Sequence, residues 1–162
     1  MMTDDQSQLG FEIEFDGQTQ AWLEWSEPDR MESAIRAFLT ETVAGIADYS
    51  EPWWQPPLST RIIEAARVLF ASWEGFIAPE NHSKADQFIR FVGECIRHQH
   101  PGMVWTTSKL TYNPLYADYG FRPAVHFVDG HREEPVSMVE TLFRIESAEH
   151  LDYAIRVAGT PA

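Results

Sequence analysis

Apolar side chains recur every three or four residues in three runs between residues 28 and 100, and this pattern constrains the fold most. Each run predicts an amphipathic helix. The first spans about Pro28 to Ala47 and ends before a segment with three prolines, which forbid further helix. Serine and aspartate before each run are typical of helix starts. The predicted caps are Ser26 with Asp29, Ser59, and Ser83 with Asp86.

A hairpin is predicted before the first helix. Phe11 to Phe15 alternates apolar and acidic residues, which is the two-residue period of a strand with one wet face. Asp16-Gly17 follows, and this dipeptide favours a tight turn because both positions tolerate positive φ. Gln18 to Trp25 is then the expected returning strand.

The pattern changes after the third helix, which we expect to end near His100. Met103 to Thr107 and Arg122 to Val128 are rich in β-branched and aromatic residues and predict strands. Pro135 to Ile145 fits a helix as well as a strand, and proline in the first turn favours helix. A last short helix follows Ser147. The sequence therefore predicts one α+β domain over residues 1–162: an N-terminal β-hairpin, three central helices, and a small antiparallel sheet with one or two C-terminal helices.

Composition excludes several classes of protein. Cys95 is the only cysteine, so neither an intramolecular disulfide nor a four-cysteine zinc site can form. The net charge of −13 argues against binding to a nucleic-acid backbone. No apolar stretch approaches the ~18 residues that a membrane span requires, and the polar, acidic start does not resemble a secretory signal. Cytoplasmic localisation is therefore expected, with no membrane partner.

The acidic excess is concentrated at the front of the chain. Residues 1–54 carry twelve acidic and two basic side chains, a balance of −10, and four of the six tryptophans. Carboxylates accelerate encounter with a basic partner, and a desolvated indole supplies anchoring energy. Trp22 and Trp25 lie in patterned elements and fit a core as well as a surface. The predicted partner-binding residues are Glu24, Glu27, Asp48, Glu51, Trp53 and Trp54.

Candidate catalytic and metal-binding residues are few. Glu94 and His98 are four residues apart on the third helix, so they share a face and suit either a metal or a surface pair. Cys95 lies between Glu94 and an apolar residue, which favours a packed side chain over a nucleophile. Gly93, inside the same helix, indicates the close approach of another backbone. No catalytic residue, metal or cofactor is predicted.

One stretch resembles a known group of proteins. Phe88 to Arg97 contains Gly93-Glu94, and the pattern Gly102-x-x-Trp105 follows, with Pro114 and a strand around Ala124-Val125. This order resembles small bacterial α+β proteins of unassigned function, some of which are immunity proteins beside toxin genes. The resemblance covers about Ser83 to Val128 and implies a fold, without catalytic residues.

The leading functional hypothesis is a non-enzymatic protein-binding module. We expect an immunity protein that neutralises a basic bacterial toxin domain through its acidic, tryptophan-rich surface. The alternative is a small-molecule-binding or regulatory domain, with a pocket between the third helix and the strand that carries Trp105.

Overall fold

The computed structural model describes residues 17–43, 52–108, 114–127 and 130–159. Within these ranges, seven helices and a three-stranded sheet form one α+β arrangement. The elements in chain order are α1 (Gly17–Trp25), α2 (Pro28–Ala37), α3 (Leu58–Phe70), α4 (Trp73–Ile77), α5 (His82–Gln99), β1 (Val104–Ser108), β2 (Arg122–His126), β3 (Arg132–Glu133), α6 (Pro135–Ile145) and α7 (Ala148–Val157).

The sheet is antiparallel throughout, with strand order β1-β2-β3. Trp105 of β1 stands opposite Val125 of β2, and Val125 stands opposite Glu133 of β3. The predicted mixture of helices followed by a small antiparallel sheet is therefore confirmed. So are the two C-terminal helices: α6 has proline in its first turn, and the Ser147 side chain caps α7 by accepting from the backbone N–H of His150 at 3.2 Å.

Helix α5 lies at the centre of the fold. It packs against α2, α4, α6, α7 and β2, so apolar residues occupy more than one of its faces. Phenylalanines from other segments pack around it, and the rings of Phe38, Phe70 and Phe76 all contact Phe88. Its fully buried apolar residues are Ala85, Phe88, Ile89, Phe91, Val92, Cys95 and Ile96.

The predicted returning strand Gln18 to Trp25 is wrong, because these residues belong to α1. Ala21 and Trp22 precede Trp25 by four and three residues, which places both beside Trp25 on one helical face, and all three pack against the core. Leu23 and Glu24 point to solvent. The first predicted strand, Phe11 to Phe15, lies outside the described residues.

The caps predicted for α2, α3 and α5 all differ from the structure. The N-cap of α5 is Asn81, and the predicted cap Ser83 lies inside that helix. Glu27, rather than Ser26, caps α2, and its carboxylate accepts from the backbone N–H groups of Asp29 and Arg30 at 3.3 and 3.0 Å. Ser59 lies inside α3, whose N-cap is Pro57. There its hydroxyl donates to Asp152 of α7 at 2.8 Å, so a long-range contact replaces the expected local one.

The first two predicted helices differ from the structure in their C-terminal parts. After Ala37 the first continues as a π-helical turn over Phe38–Thr42, and its predicted end, Ala47, lies outside the described residues. The spacing of apolar residues from Ile62 to Trp73 predicts one second helix, but α3 ends at Phe70, because Ala71 has a positive φ of 68°. Trp73 belongs to the separate helix α4. None of the helices described in the structure is both long and apolar enough to cross a membrane.

Polar side chains hold α7 in place. Asp152 is 7% exposed and accepts hydrogen bonds from the hydroxyls of Ser59 and Thr60. His100 donates through Nε2 to the carbonyl oxygen of Ile155 at 2.8 Å. Helix α7 is thereby tied to α3 and to the end of α5, the helix that carries the site described next.

Candidate functional site

A cleft of about 780 Å³ opens between α2, the loop containing Trp53 and Trp54, helix α5 and strand β1. We call it the indole cleft, because the side chains of Trp53, Trp54 and Trp105 line it. Two glutamate–arginine pairs, one imidazole and three apolar residues complete most of the lining: Glu32, Arg36, Glu94, Arg97, His98, Pro28, Met31 and Ile35. Volumes of about 300–1,000 Å³ are usual for small-molecule sites.

Trp105 is fixed by the Gly93-Glu94 dipeptide of α5. Its indole N–H donates to Glu94 Oε2 at 2.7 Å. A Cβ on Gly93 would lie 2.0 Å from Trp105 Cη2, closer than atoms approach. Gly93 was expected to allow the approach of another backbone, and the structure shows that it accommodates the indole ring of β1 instead. The glycine thus lets Trp105 lie flat on α5 at the edge of the cleft.

Trp53 and Trp54 form the opposite side of the cleft and are half-buried. The Trp54 ring stacks on the His98 ring, with centroids 4.4 Å apart and an interplanar angle of 18°. Trp53 meets Trp54 edge to face at 5.5 Å and packs on Phe91. Gln99 Nε2 donates to the backbone carbonyl of Trp54 at 2.5 Å. The loop is therefore anchored to α5 by ring contacts and one hydrogen bond.

The charges in the cleft are paired with each other. Arg97 Nη1 donates to Glu94 Oε2 at 2.7 Å, and Arg97 Nε donates to the Met103 carbonyl at 3.2 Å. Arg36 Nη2 donates to Glu32 Oε1 at 2.5 Å. The loss of water around its ring lowers the pKa of His98, although the nearby Glu94 charge opposes this. Among the lining residues that the structure describes, each carboxylate is therefore paired with a guanidinium group, and the His98 imidazole favours its neutral form.

A polar network behind the cleft holds α1 against α5. Asp86 Oδ1 accepts from Trp25 Nε1 and from the Tyr116 hydroxyl, each at 2.7 Å, and Oδ2 accepts from Arg90 Nε at 2.8 Å. The Arg90 guanidinium lies 4.1 Å from the Trp25 ring centroid and also donates to the Trp25 carbonyl. Since Trp25 meets Trp105 edge to face at 5.0 Å, this network supports the cleft from inside.

The network has one electrostatic consequence. Burial, together with the negative charge of Asp86, raises the pKa of Tyr116 well above its usual value, so its hydroxyl keeps its proton and donates. The predicted capping role of Asp86 is replaced by this set of long-range contacts.

The predicted partner-binding residues fall into three groups. Trp53 and Trp54 line the indole cleft. Glu24 and Glu27 are exposed; Glu24 accepts from Gln20, and Glu27 stands between two cleft-lining residues while capping α2. Asp48 and Glu51 lie outside the described residues. Of the remaining front tryptophans, Trp25 is 3% exposed and Trp22 stacks on it, so both rings belong to the core.

The sequence patterns did not predict that Arg36, Arg97 and Trp105 lie beside Trp53 and Trp54. Each had a local signal: an arginine at the end of α2, an arginine three residues after Glu94, and a tryptophan in a predicted strand. Glu94 and His98 were noted together as a possible metal pair. In the structure both line the cleft. Within the described ranges, no group of three or more His, Cys, Asp and Glu side chains can hold a metal ion.

Cys95 lies on the side of α5 away from solvent and is fully buried. Burial raises the pKa of its thiol well above the usual value, and the charges of Asp152 and Glu94 act in the same direction. The reactive thiolate is therefore rare at neutral pH.

We expect Cys95 not to react with a chromogenic disulfide reagent at a mildly alkaline pH in the folded protein, and to react fully in urea. Rapid reaction of the folded protein would contradict this placement.

Compared with known proteins, the chain matches no family model, no curated protein and no solved structure. The resemblance to immunity proteins therefore stays a prediction from the motif alone.

Proposed function

We propose that this chain is a non-enzymatic binding domain whose indole cleft takes a small organic ligand. The observation that carries the proposal is the cleft itself: about 780 Å³, lined by three indoles, between α5 and the strand that carries Trp105. Concave sites with mostly apolar lining and a few convergent polar groups are typical of ligand pockets. This is the alternative function expected from the sequence, which named a pocket between the third helix and the same strand.

Contacts within the protein hold the lining in place, which supports binding. Trp105 donates a hydrogen bond to Glu94 and fits into the space that Gly93 leaves. Trp54 stacks on His98 and accepts a hydrogen bond from Gln99. A site whose side chains are fixed in advance loses less conformational entropy on binding. The indole rings therefore offer apolar surface to a ligand with little loss of conformational entropy.

The polar groups of the cleft suit recognition better than proton transfer. Glu94 accepts hydrogen bonds from Arg97 and from the Trp105 N–H, so its carboxylate has a positioning role. Arg36 and Arg97 carry guanidinium groups, which donate hydrogen bonds and do not accept protons. These groups suit the binding of a ligand, so binding is the function we propose.

A thermal-shift screen tests the proposal. Amines, alcohols and carboxylic acids with one or two aromatic rings are screened, and we expect at least one to raise the Tm. A ligand at about one hundred times its Kd adds about 2.7 kcal/mol. In a chain of this size, that free energy corresponds to about 5–10 °C.

Two tryptophan variants locate the binding. Trp54→Ala should lose most of the shift, because removing an indole anchor costs about 2 kcal/mol or more. Trp73→Ala is the matched control, since Trp73 lies on α4 and does not line the cleft. A shift that survives Trp54→Ala, or a panel without any shift, would exclude the indole cleft as a small-molecule site.

The second candidate is an immunity protein that neutralises a basic toxin domain. The exposed carboxylates of Glu24 and Glu27, the half-buried rings of Trp53 and Trp54, and the net charge of −13 favour it. Charged rims increase association rates, whereas buried indoles anchor the complex. With a cognate toxin, the association rate should fall with added salt, and Trp53→Ala or Trp54→Ala should cost about 2 kcal/mol or more. Unchanged affinity in both variants would remove this site assignment.

A further inference from the structure

We propose that the ligand of the indole cleft is an organic cation: an ammonium or guanidinium group on an apolar body, either a flat ring or an aliphatic chain. This inference rests on the proposed function and specifies the class of ligand. Three properties of the cleft carry it: its indole lining, a carboxylate oxygen with open lone pairs, and the surrounding negative charge.

The indole lining favours cations. Trp53, Trp54 and Trp105 all line the cleft, and tryptophan has the aromatic ring to which cations bind best. The same region already holds one such contact inside the protein, where Arg90 lies 4.1 Å from the Trp25 ring centroid. An apolar body attached to the cation would fill the remaining space between the indoles.

Glu94 provides the matching negative group. Its side chain is 13% exposed, and both hydrogen bonds that it accepts within the described ranges fall on Oε2, from Arg97 and Trp105. Oε1 therefore keeps its lone pairs for a donor in the cleft. A charge-assisted hydrogen bond to a carboxylate is about twice as strong as one between neutral groups.

The positive groups in the cleft do not cancel this preference. Arg36 is paired with Glu32, and Arg97 with Glu94, so each guanidinium has its own carboxylate. His98 is neutral at neutral pH, because the loss of water around its ring lowers its pKa.

The negative charge of the whole chain also favours a cation over an anion. The whole chain carries a charge of −13, and the exposed Glu27 stands between Ser26 and Pro28, which both line the cleft. A negative potential around a cleft raises the local concentration of cations and lowers that of anions. A ligand with a carboxylate or phosphate as its only charge is therefore disfavoured.

The cation can come from two sources with the same chemistry. It is either a free aromatic amine or the arginine or lysine side chain of a basic partner protein. The groups recognised in the cleft, indole rings and the Glu94 carboxylate, are the same for both.

Isothermal titration with three indole compounds tests the class of ligand. Tryptamine, indole-3-ethanol and indole-3-acetate share one ring and differ in charge. We expect tryptamine to bind about tenfold more tightly than the alcohol, and the acetate most weakly, since a charged hydrogen bond adds about 1.4 kcal/mol or more. If the alcohol or the acetate binds as tightly as tryptamine, the proposal is overturned while the proposed function stands. If no compound of either this series or the thermal screen binds, the proposed function fails as well.

Glu94→Gln tests the role of the carboxylate. The glutamine amide retains an oxygen that can accept from the Trp105 N–H, so the ring position is kept. We expect the roughly tenfold preference for tryptamine over the alcohol to fall to about one, because tryptamine loses more affinity than the alcohol when the charge is removed. Glu80→Gln, in the exposed turn before α5, removes the same charge away from the cleft and should leave the preference unchanged. An unchanged preference in Glu94→Gln would overturn the assignment of Glu94.

Blocked arginine peptides distinguish the two sources. If the cation belongs to a partner protein, N-acetyl-Gly-Arg-Gly-amide should bind at least as tightly as tryptamine. If the ligand is a free amine, tryptamine should bind more tightly than the peptide. Binding of indole-3-ethanol without measurable binding of either cation would overturn the proposal.

Discussion

Asp86→Ala is expected to lower the free energy of unfolding by about 3 kcal/mol, the lower end of the range for breaking a buried ion pair. The substitution removes the only carboxylate paired with Arg90 in the described ranges, and the Arg90 side chain is 5% exposed. It also leaves the Trp25 N–H and the Tyr116 hydroxyl without their acceptor. The lower end applies because Asp86 itself is 29% exposed and water can partly replace it.

Urea denaturation of four variants measures this effect: Asp86→Ala, Arg90→Met, their double variant, and a control. Glu80→Ala, an exposed acid in the preceding turn, is the matched control and should change stability by less than about 0.5 kcal/mol. The double variant Asp86→Ala/Arg90→Met should lose less stability than the sum of the two single variants, because it removes the unpaired guanidinium as well. A loss below about 1 kcal/mol for Asp86→Ala would show that the network does not hold α1 to α5.

Gly93→Ala is expected to destabilise the fold and to close the indole cleft to ligands. The new methyl would lie 2.0 Å from Trp105 Cη2 and 2.4 Å from Cζ2, so the indole must leave its place beside Glu94. Overpacking of this kind costs about 1–3 kcal/mol, of which the better helix propensity of alanine offsets up to about 1 kcal/mol. We therefore expect a net loss of roughly 1–2 kcal/mol and at least a roughly tenfold weaker affinity for tryptamine.

A double-mutant cycle separates the clash from other effects of the methyl. In Gly93→Ala/Trp105→Ala the ring is absent, so the Gly93→Ala step should cost nothing or stabilise the protein. Gly17→Ala is the matched glycine control, because no atom of the described residues outside its own helical turn lies within 4 Å of the position of its Cβ. If Gly93→Ala destabilises equally with and without Trp105, the indole is not the group that excludes a side chain at this position.

Local patterns predicted much of the helical and sheet structure. The spacing of Val136, Val139 and Leu142 fitted a helix as well as a strand, and Pro135 in the first turn correctly favoured the helix α6. Ser147 correctly marked the start of α7. The hairpin interpretation of Gln18 to Trp25 was wrong because Asp-Gly was given more weight than the interval between Trp22 and Trp25. Residues three apart face opposite sides of a strand but share a helical face, so that interval already indicated a helix.

Long-range contacts explain most of the remaining differences. Asp86 and Ser59 both have the local signature of helix caps, yet their partners Trp25 and Asp152 are 61 and 93 residues away in the sequence. A single sequence contains no local signal for such pairings. The same limit applies to the cleft: prolines identified the Trp53-Trp54 loop, but its closeness to Trp105 depends on how α5 packs.

The two sides of the indole cleft therefore differ in how well they tolerate substitutions. Gly93 sits on α5, whose other faces are filled by core phenylalanines, so a larger side chain there displaces the Trp105 ring. Glu32 and Arg36 project from the outer face of α2, with side chains 68% and 59% exposed. Surface positions accept substitutions at little cost in stability. Attempts to change the ligand preference should begin at Glu32 and Arg36, because substitutions there leave the core contacts of α5 unchanged.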